Sequence, residues 1–423
     1  SEARNDPADE RLAEERQQGF VAAHARRLST GLDDNGQHGA IISSGMLPPL
    51  QGRLMKNVAA FLDSMTRPAE LCEPLAANTV RCLACGHRCV IRPGKRGVCQ
   101  VRFNDGESLR VPWGYVAALQ ADPIEKKPFW HVLPGSVALT FGMLGCDFTC
   151  AYCQNWLTSQ ALRNPSADVA ANLVRQITPE EIVQTARRVG AEALVSSYNE
   201  PLITSEWAMA VFRLAKESGL KCAFVSNGNA TPEALAFLRP CLDAYKVDLK
   251  SMRQETYRRL GGSLKHVLAT IEQAKALGLW VEVVTLVVPG LNDSNEELWD
   301  AARFLAGISV DVPWHLTAFH PDYQMNDADF TPPESLVRAA DLGREAGLRY
   351  VYAGNLPGRV GEYEDTACPG CSRVLIRRRH FDVREYHLDG EGACVHCGLH
   401  LPGIWPGDPR QVRHNASWLS KFS

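Results

Sequence analysis

Gly145-Cys146-Asp147-Phe148-Thr149-Cys150-Ala151-Tyr152-Cys153-Gln154-Asn155 decides how the rest of this chain is read. It follows closely on a short apolar run, residues 137–141, that reads as a β-strand. Beyond it, apolar runs at 193–197, 222–225, 244–249, 281–288, 315–319 and 350–352 alternate with amphipathic stretches near 179–189, 204–218, 231–238, 264–277, 295–305 and 333–345. Two of those stretches carry helix starts. Thr178 can cap, Pro179 suits the first helical position and Glu181 can close a capping box; Thr231-Pro232-Glu233 opens another helix. Repeated strand–helix units imply a parallel sheet with right-handed crossovers. About six of them suit an α/β fold built as a partial (β/α)6 barrel, with its active residues at the carboxyl ends of the strands.

The three cysteines are spaced C-x3-C-x2-C. Three thiolates can hold three irons of a cubane 4Fe–4S cluster and leave the fourth iron open, as a catalytic metal site requires. A zinc site short of one ligand, or three unrelated buried cysteines, is the plainer reading, and the position after a barrel strand argues against it. Two further groups flank this one. Upstream, Cys82, Cys85, Cys89 and Cys99 fit either zinc or an auxiliary iron–sulfur cluster, with His87 as a substitute ligand; a structural knot closing this region onto the barrel is the alternative. Downstream, Cys368-Pro369-Gly370-Cys371 and Cys394-Val395-His396-Cys397 form two C-x2-C knuckles separated by strand-like stretches at 374–378 and 381–387. This pattern is that of a zinc-ribbon or rubredoxin-like module whose zinc or iron is structural, a staple for a segment with few core residues. Relay of electrons is its functional alternative. Cys72 is a possible extra ligand, and Cys222 and Cys241 read as core.

Composition sets the outer limits. A 45% hydrophobic and 22% charged chain of 423 residues is ordinary for a globular protein, so its fourteen cysteines are not the framework of a small secreted domain. Tight cysteine pairs then point to metal, and to a reducing, cytoplasmic setting. A net charge of −3 gives no global pull toward nucleic acid, and no apolar run is long enough to cross a bilayer. The opening residues lack the basic-then-apolar order of a secretory signal, and the chain opens on Ser1, as a trimmed chain or an expression product would. The expected organisation is a helical extension at 1–66, a cysteine-rich region at 67–134, the barrel at 135–362 and the four-cysteine module with its tail at 363–423. Within these, 10–27 has a helical look, 33–39 reads as a loop, 54–65 as a short helix, 108–116 as a strand and 122–134 as a connector. The basic run Arg377-Arg378-Arg379-His380 reads as a solvated strand edge rather than a docking patch.

Taken together, the motifs resemble those of the radical SAM superfamily. The nearest branch is that of pyruvate formate-lyase activating enzyme, and more closely the AmmeMemoRadiSam-system radical SAM enzymes. The resemblance rests on Asp122-Pro123-Ile124-Glu125-Lys126-Lys127-Pro128, the cysteine loop, Tyr198-Asn199-Glu200-Pro201, Ser226-Asn227-Gly228, Asp248-Leu249-Lys250, Pro289-Gly290-Leu291-Asn292-Asp293, Phe319-His320-Pro321-Asp322-Tyr323 and Tyr352-Ala353-Gly354-Asn355. It implies that S-adenosylmethionine (SAM) occupies the open iron and is cleaved to a 5′-deoxyadenosyl radical that abstracts hydrogen from a substrate the sequence does not identify. Glu200, with Asn199, would then meet the SAM amino group, Asn227 and Asp248 its ribose hydroxyls, and Lys250 its carboxylate, while His320 and Asn355 would face the substrate. Helix capping by Glu200 and an Asp248–Lys250 ion pair are the plainer roles. The resemblance also implies a flavodoxin- or ferredoxin-type electron donor and partners from the families that give the system its name. Two other readings stand beside it: a glycyl-radical-enzyme activase, and a non-catalytic metal- or nucleic-acid-binding protein, against which the central triplet argues.

Overall fold

The computed structural model describes residues 58–414 and the backbone of Ala40–Ile41; the helix expected at 10–27 and the loop expected at 33–39 lie outside the described residues. The first described helix is Val58–Asp63, inside the stretch expected to be helical. Two small antiparallel sheets follow, one from Thr66–Pro68, Phe103–Asn104 and Leu109–Pro112, the other from Cys72–Pro74, Val80–Cys82 and Val90–Ile91. The strand expected over 108–116 is thus split, because Trp113 and Gly114 turn the chain (Gly114 φ +74°) before Tyr115–Val116.

The connector expected over 122–134 is present from Ile124 onward as a short 3-10 turn and loop, while Asp122 and Pro123 end a strand, β1 (Ala118–Pro123), which pairs antiparallel with β2 (Val137–Gly142). From β2 onward the sheet is parallel, through β3 (Ala193–Ser196), β4 (Lys221–Ser226), β5 (Ala244–Asp248), β6 (Trp280–Val287), β7 (Trp314–Ala318) and β8 (Val351–Gly354). Six crossovers join these seven parallel strands, so the partial-barrel expectation and the order of strands agree with the structure. The strands are apolar almost throughout because helices cover one face and the barrel interior the other. The crossover helices include α1 (Pro179–Arg188), α2 (Ser205–Glu217), α3 (Pro232–Leu238), α4 (Gln254–Leu260), α5 (Leu264–Ala276), α6 (Asn295–Ile308) and α7 (Pro333–Glu345). Thr178 and Glu181 form the capping box at α1, and Thr231 accepts the N–H of Ala234 at α3. Helix α4 is an addition to the sequence reading; Gly261, at φ +82°, ends it in the left-handed conformation that a side chain resists. No helix among the described residues is long and apolar enough to cross a membrane.

The cysteine-rich region is tied to the barrel by a buried ion pair. Arg102 meets Glu206 of α2 through both terminal nitrogens and gives its Nε–H to the Ile203 carbonyl, and Glu206 also accepts the Leu71 N–H at 3.1 Å. Replacing Arg102 by Met leaves Glu206 buried without its cation. The expected loss is about 3–5 kcal/mol, read as a lower urea midpoint at unchanged slope.

The four-cysteine segment shares a core with the barrel. Trp130, Tyr350 and Tyr352 pack with Cys368, Leu375, Ile376, Val383 and Cys394. Its hairpin, β9 (Val374–Arg379) and β10 (Asp382–Tyr386), turns at His380 and Phe381. The chain then returns to the barrel, where Leu133 N–H and Ile404 N–H each reach a carbonyl of the other segment at 2.7 Å. The basic run is not a solvated edge. Arg377 is exposed, but Arg378 is buried, giving hydrogen bonds to Thr366 Oγ1 and the Trp130 carbonyl, both at 2.8 Å. Strand alternation sends neighbours to opposite faces, which a run of like charges conceals.

Candidate active site

The cysteine loop leaves β2 at a crowded point. A side chain at Gly142 would sit 2.4 Å from the Ser197 carbonyl oxygen; Gly145 has φ +97°, and a Cβ there would lie 2.8 Å from Val101. Asp147 anchors the loop. Its carboxylate accepts from Asn227 Nδ2 at 2.7 Å and Asn229 Nδ2 at 2.8 Å, both just after β4. Trp156 stacks on Tyr323 at 5.1 Å and closes the loop's other side. The Phe148 N–H points at Cys146 Sγ, 3.4 Å away, and Ser159 Oγ lies 3.2 Å from Cys153 Sγ. Burial pushes the Cys150 thiol up to about 12 and raises those of Cys146 and Cys153, so it is a metal that would draw the charge onto these sulfurs. The donor set therefore fits an iron–sulfur cluster: three sulfurs on one loop, with backbone and hydroxyl donors beside them.

Cys150 and Cys153 open onto a cavity of about 420 Å³ at the carboxyl ends of the parallel strands. Asp248, Lys250 and Asn355 line it as well. Asp248 lies between Lys246 and Lys250, the latter at 3.0 Å. Burial works against its charge, yet the two ammonium groups outweigh burial and hold the carboxyl at about 2. The ion pair weighed from the sequence is therefore present, within the cavity wall. Asn355 gives Nδ2–H to the Ala318 carbonyl at 3.0 Å and sits at φ +69°. His320 meets Gln154, a lining residue, at 2.7 Å but is not itself part of the wall.

Glu200, Asn199 and Asn227 also lie off the cavity wall, because protein donors and acceptors engage them. Glu200 accepts from Leu202 N–H at 3.1 Å, as the cap of the turn Pro201–Thr204, and from Ser226 Oγ at 2.7 Å and Asn227 N–H at 2.8 Å. Burial, with Asp147 nearby, pushes its carboxyl up to about 8. Asn199 accepts the Met143 N–H at 3.0 Å. These contacts make the Tyr198–Pro201 and Ser226–Asn229 segments part of the frame that holds the cysteine loop.

The structure adds residues that the sequence reading left without a role. His315 lines the cavity with Nε2 held at 2.6 Å by Glu282. Glu125, Lys126 and Lys127 line it from the turn after β1, Tyr198 from the end of β3, and His380 and Phe381 from the tip of the C-terminal hairpin. Charges on otherwise apolar strands were a legible signal. Lys246 and Asp248 occupy alternate positions of β5, which places them on one face, and Glu282 is the one charge on β6.

The two outer cysteine groups differ. Cys368, Cys371, Cys394 and Cys397 bring their sulfurs within 4.8 Å of one another, and among the described residues this is the group so gathered. The Cys368–Cys397 and Cys371–Cys394 sulfurs lie 3.5 and 3.8 Å apart. Four sulfurs at about 2.3 Å from one tetrahedral ion would be roughly 3.8 Å apart, so one metal ion fits. Cys82, Cys85, Cys89 and Cys99 do not converge so tightly; Arg102 Nη1 points at Cys82 Sγ, 3.7 Å away, and Val98 N–H at Cys89 Sγ, 3.4 Å away. His87 turns its ring to the Asp147 carbonyl at 3.2 Å. Cys72 pairs its strand with that of Cys82, and Cys222 and Cys241 are buried as expected for core residues.

Comparison with known proteins covers the same ground. The profile of the radical SAM superfamily matches residues 141–305, which include the cysteine loop, Glu200, Asp248 and Lys250. An uncharacterized protein of Methanocaldococcus jannaschii is 38% identical over 335 residues, 78% of this chain and 98% of that protein. GTP 3',8-cyclase of Aquifex aeolicus is 26% identical over 222 residues, 47% of this chain and 68% of the cyclase. Pyruvate formate-lyase-activating enzyme of Streptococcus mutans is 25% identical over 201 residues, 44% of this chain and 72% of that enzyme.

Proposed function

We propose that this chain, which belongs to the radical SAM superfamily, is an enzyme that cleaves SAM reductively and directs the radical at a small molecule held in the cavity. The observation that carries the reading is that Cys150 and Cys153 open into the same space as Asp248, Lys250 and Asn355. A 4Fe–4S cluster held by Cys146, Cys150 and Cys153 supplies, when bound, the electron that breaks a carbon–sulfur bond of SAM to give a 5′-deoxyadenosyl radical. The protein's own part is to bind, orient and exclude water. Lys250 offers an ammonium to the SAM carboxylate, and Asp248 an acceptor to its ribose hydroxyls. Glu200, Asn199 and Asn227 support that pocket from the loops that brace the cluster. His315, oriented by Glu282, and Asn355 face the substrate, with His320 behind Gln154.

A hairpin of the same chain forms part of the cavity wall, which favours a small molecule over a glycine on a second protein. Within the superfamily we place the chain nearest the AmmeMemoRadiSam-system enzymes, on the order of its motifs, with a flavodoxin- or ferredoxin-type donor and the protein families of that system as partners. The test is SAM cleavage by reduced, anaerobic, iron-quantified protein, with deoxyadenosine as the product measured. Lys250→Met and Asp248→Asn, both at residues that line the cavity, are expected to weaken SAM binding in equilibrium dialysis by about ten- to hundredfold, the value of one or two lost charge-assisted hydrogen bonds, with iron content unchanged. Unchanged affinity in both would put the SAM pocket elsewhere.

A further inference from the structure

The turn after β1 places two lysines on one buried carboxylate. Asp122, at the end of β1, is fully buried, and its oxygens take Lys126 Nζ at 3.2 Å and Lys127 Nζ at 2.8 Å. Among the described residues, Asp122 is the one carboxylate at ion-pair distance from either ammonium. Two positive charges therefore share one negative charge. Burial works against the Asp122 carboxylate, but the two ammonium groups outweigh it and hold the carboxyl below its ordinary range. Lys127 is fixed further by Tyr198, with Nζ 3.0 Å from the hydroxyl and 4.7 Å from the ring centre. Lys126 is the more accessible, its side chain 20% exposed against 5% for Lys127, and both line the cavity.

A surplus buried cation is costly unless something balances it. Besides Asp248, the acids of the wall are Glu125 and Glu364, and each is engaged by other groups. Glu364 accepts backbone N–H groups from Gly358 and His380 at 2.8 and 2.9 Å. Glu125 accepts the Gly135 N–H at 2.9 Å and has Arg378 3.9 Å away. A second surplus exists at Lys246, Asp248 and Lys250, and the SAM carboxylate balances it if the proposed function holds. The pair at Lys126 and Lys127 then remains for another anion.

We propose that Lys126 and Lys127 form a subsite for an anionic group of the substrate, a phosphoryl or carboxylate, with Lys126 making the contact and Asp122 and Tyr198 fixing Lys127 beside it. The inference rests on the reading of the cavity as the site of a SAM-dependent enzyme. The hairpin tip completes the subsite: His380 and Phe381 stand in the same wall, their rings 3.7 Å apart, so the four-cysteine segment faces the substrate as well as stabilising the fold.

The test uses the full chain with its cluster reconstituted, anaerobic and saturated with SAM, titrated in separate arms with inorganic phosphate and with malonate. Saturable binding in the millimolar range or tighter is expected in at least one arm, and the stronger arm identifies the group. Lys126→Gln is expected to weaken that binding by about ten- to hundredfold, while Lys126→Arg restores it to within a few-fold. A purely structural lysine would move the melting temperature instead, so thermal unfolding and SAM affinity are measured on the same samples and are expected to stay unchanged. Failure of the wild-type protein to bind either anion, or equal binding by Lys126→Gln, would overturn the subsite while leaving SAM cleavage intact. Failure to bind or cleave SAM at all would instead overturn the proposed function.

Discussion

Replacing Cys146, Cys150 and Cys153 together by Ala is expected to remove one cubane's worth of iron and to bring deoxyadenosine formation below detection, at least a thousandfold or about 4 kcal/mol in barrier. The size of the effect follows from the chemistry. Without the electron supplied at this loop, the carbon–sulfur bond of SAM has no low-energy route to cleavage, and among the described residues Cys150 and Cys153 are the cysteines that line the cavity. The fold should survive. The loop is braced from outside by Asp147 on Asn227 and Asn229, by Trp156 on Tyr323 and by the Arg163 contact to the Phe148 carbonyl at 2.7 Å. None of these needs the thiols. Iron counting, the visible charge-transfer absorption and the deoxyadenosine assay on one preparation check the prediction. Retained cleavage in the triple variant would end the assignment of the loop.

Changing Cys368 and Cys394 together to Ser is expected to release one metal ion per chain and to unfold the hairpin of β9 and β10. Binding of a structural zinc to four cysteines is worth on the order of 10–16 kcal/mol at neutral pH, and that free energy is folding free energy for the segment around it. Part of the loss is offset here, because Tyr350, Tyr352 and Trp130 of the barrel continue to offer an apolar surface. Arg378 then becomes the weak point, a buried cation whose partners Thr366 and Trp130 hold only while the hairpin is in place. Hydrogen exchange should rise over residues 366–401 and stay low in β2 to β7. Metal analysis, with anomalous scattering at the zinc and iron edges on the wild-type protein, identifies the ion. Finding the four sulfurs paired as disulfides would refute the site. Because His380 and Phe381 stand in the cavity wall, phosphate or malonate binding should weaken in this variant more than SAM binding does.

The two predictions differ in how early they could be made. The cysteine loop was legible because it is local. Eleven consecutive residues carry the three cysteines, the glycine that lets the chain turn and the acid that anchors it, and no distant contact is needed to read their pattern. The strand and helix order was legible for the same reason, since periodicity and caps such as Thr178 with Glu181 act over three or four residues. The closed C-terminal site needed only two knuckles and a ribbon between them.

The roles of single charged residues were not legible in this way. From the sequence, Glu200 reads as a SAM contact or a helix cap, and the tertiary structure adds Ser226 and Asn227 as partners from the next strand's end. His315 acquires Glu282 only because β6 and β7 run parallel with Val284 opposite His315. One residue's slip in register would turn either side chain to the other face.

The sequence by itself determined the cysteine loop, the order of strands and helices, and the gathering of Cys368, Cys371, Cys394 and Cys397, because each is encoded in short spacings that local geometry must obey; it grouped Cys82, Cys85, Cys89 and Cys99 in the same way, and those do not converge so tightly. The tertiary structure alone decided what the cavity is made of. Its wall joins Lys126 and Lys127, a loop of cysteines, the ends of six parallel strands and a hairpin tip at His380 and Phe381, segments up to about 250 residues apart. Their meeting is set by sheet register, by the antiparallel entry of β1 and by the seating of Arg378 against Trp130. These are long-range packing choices, and no spacing within one segment records them.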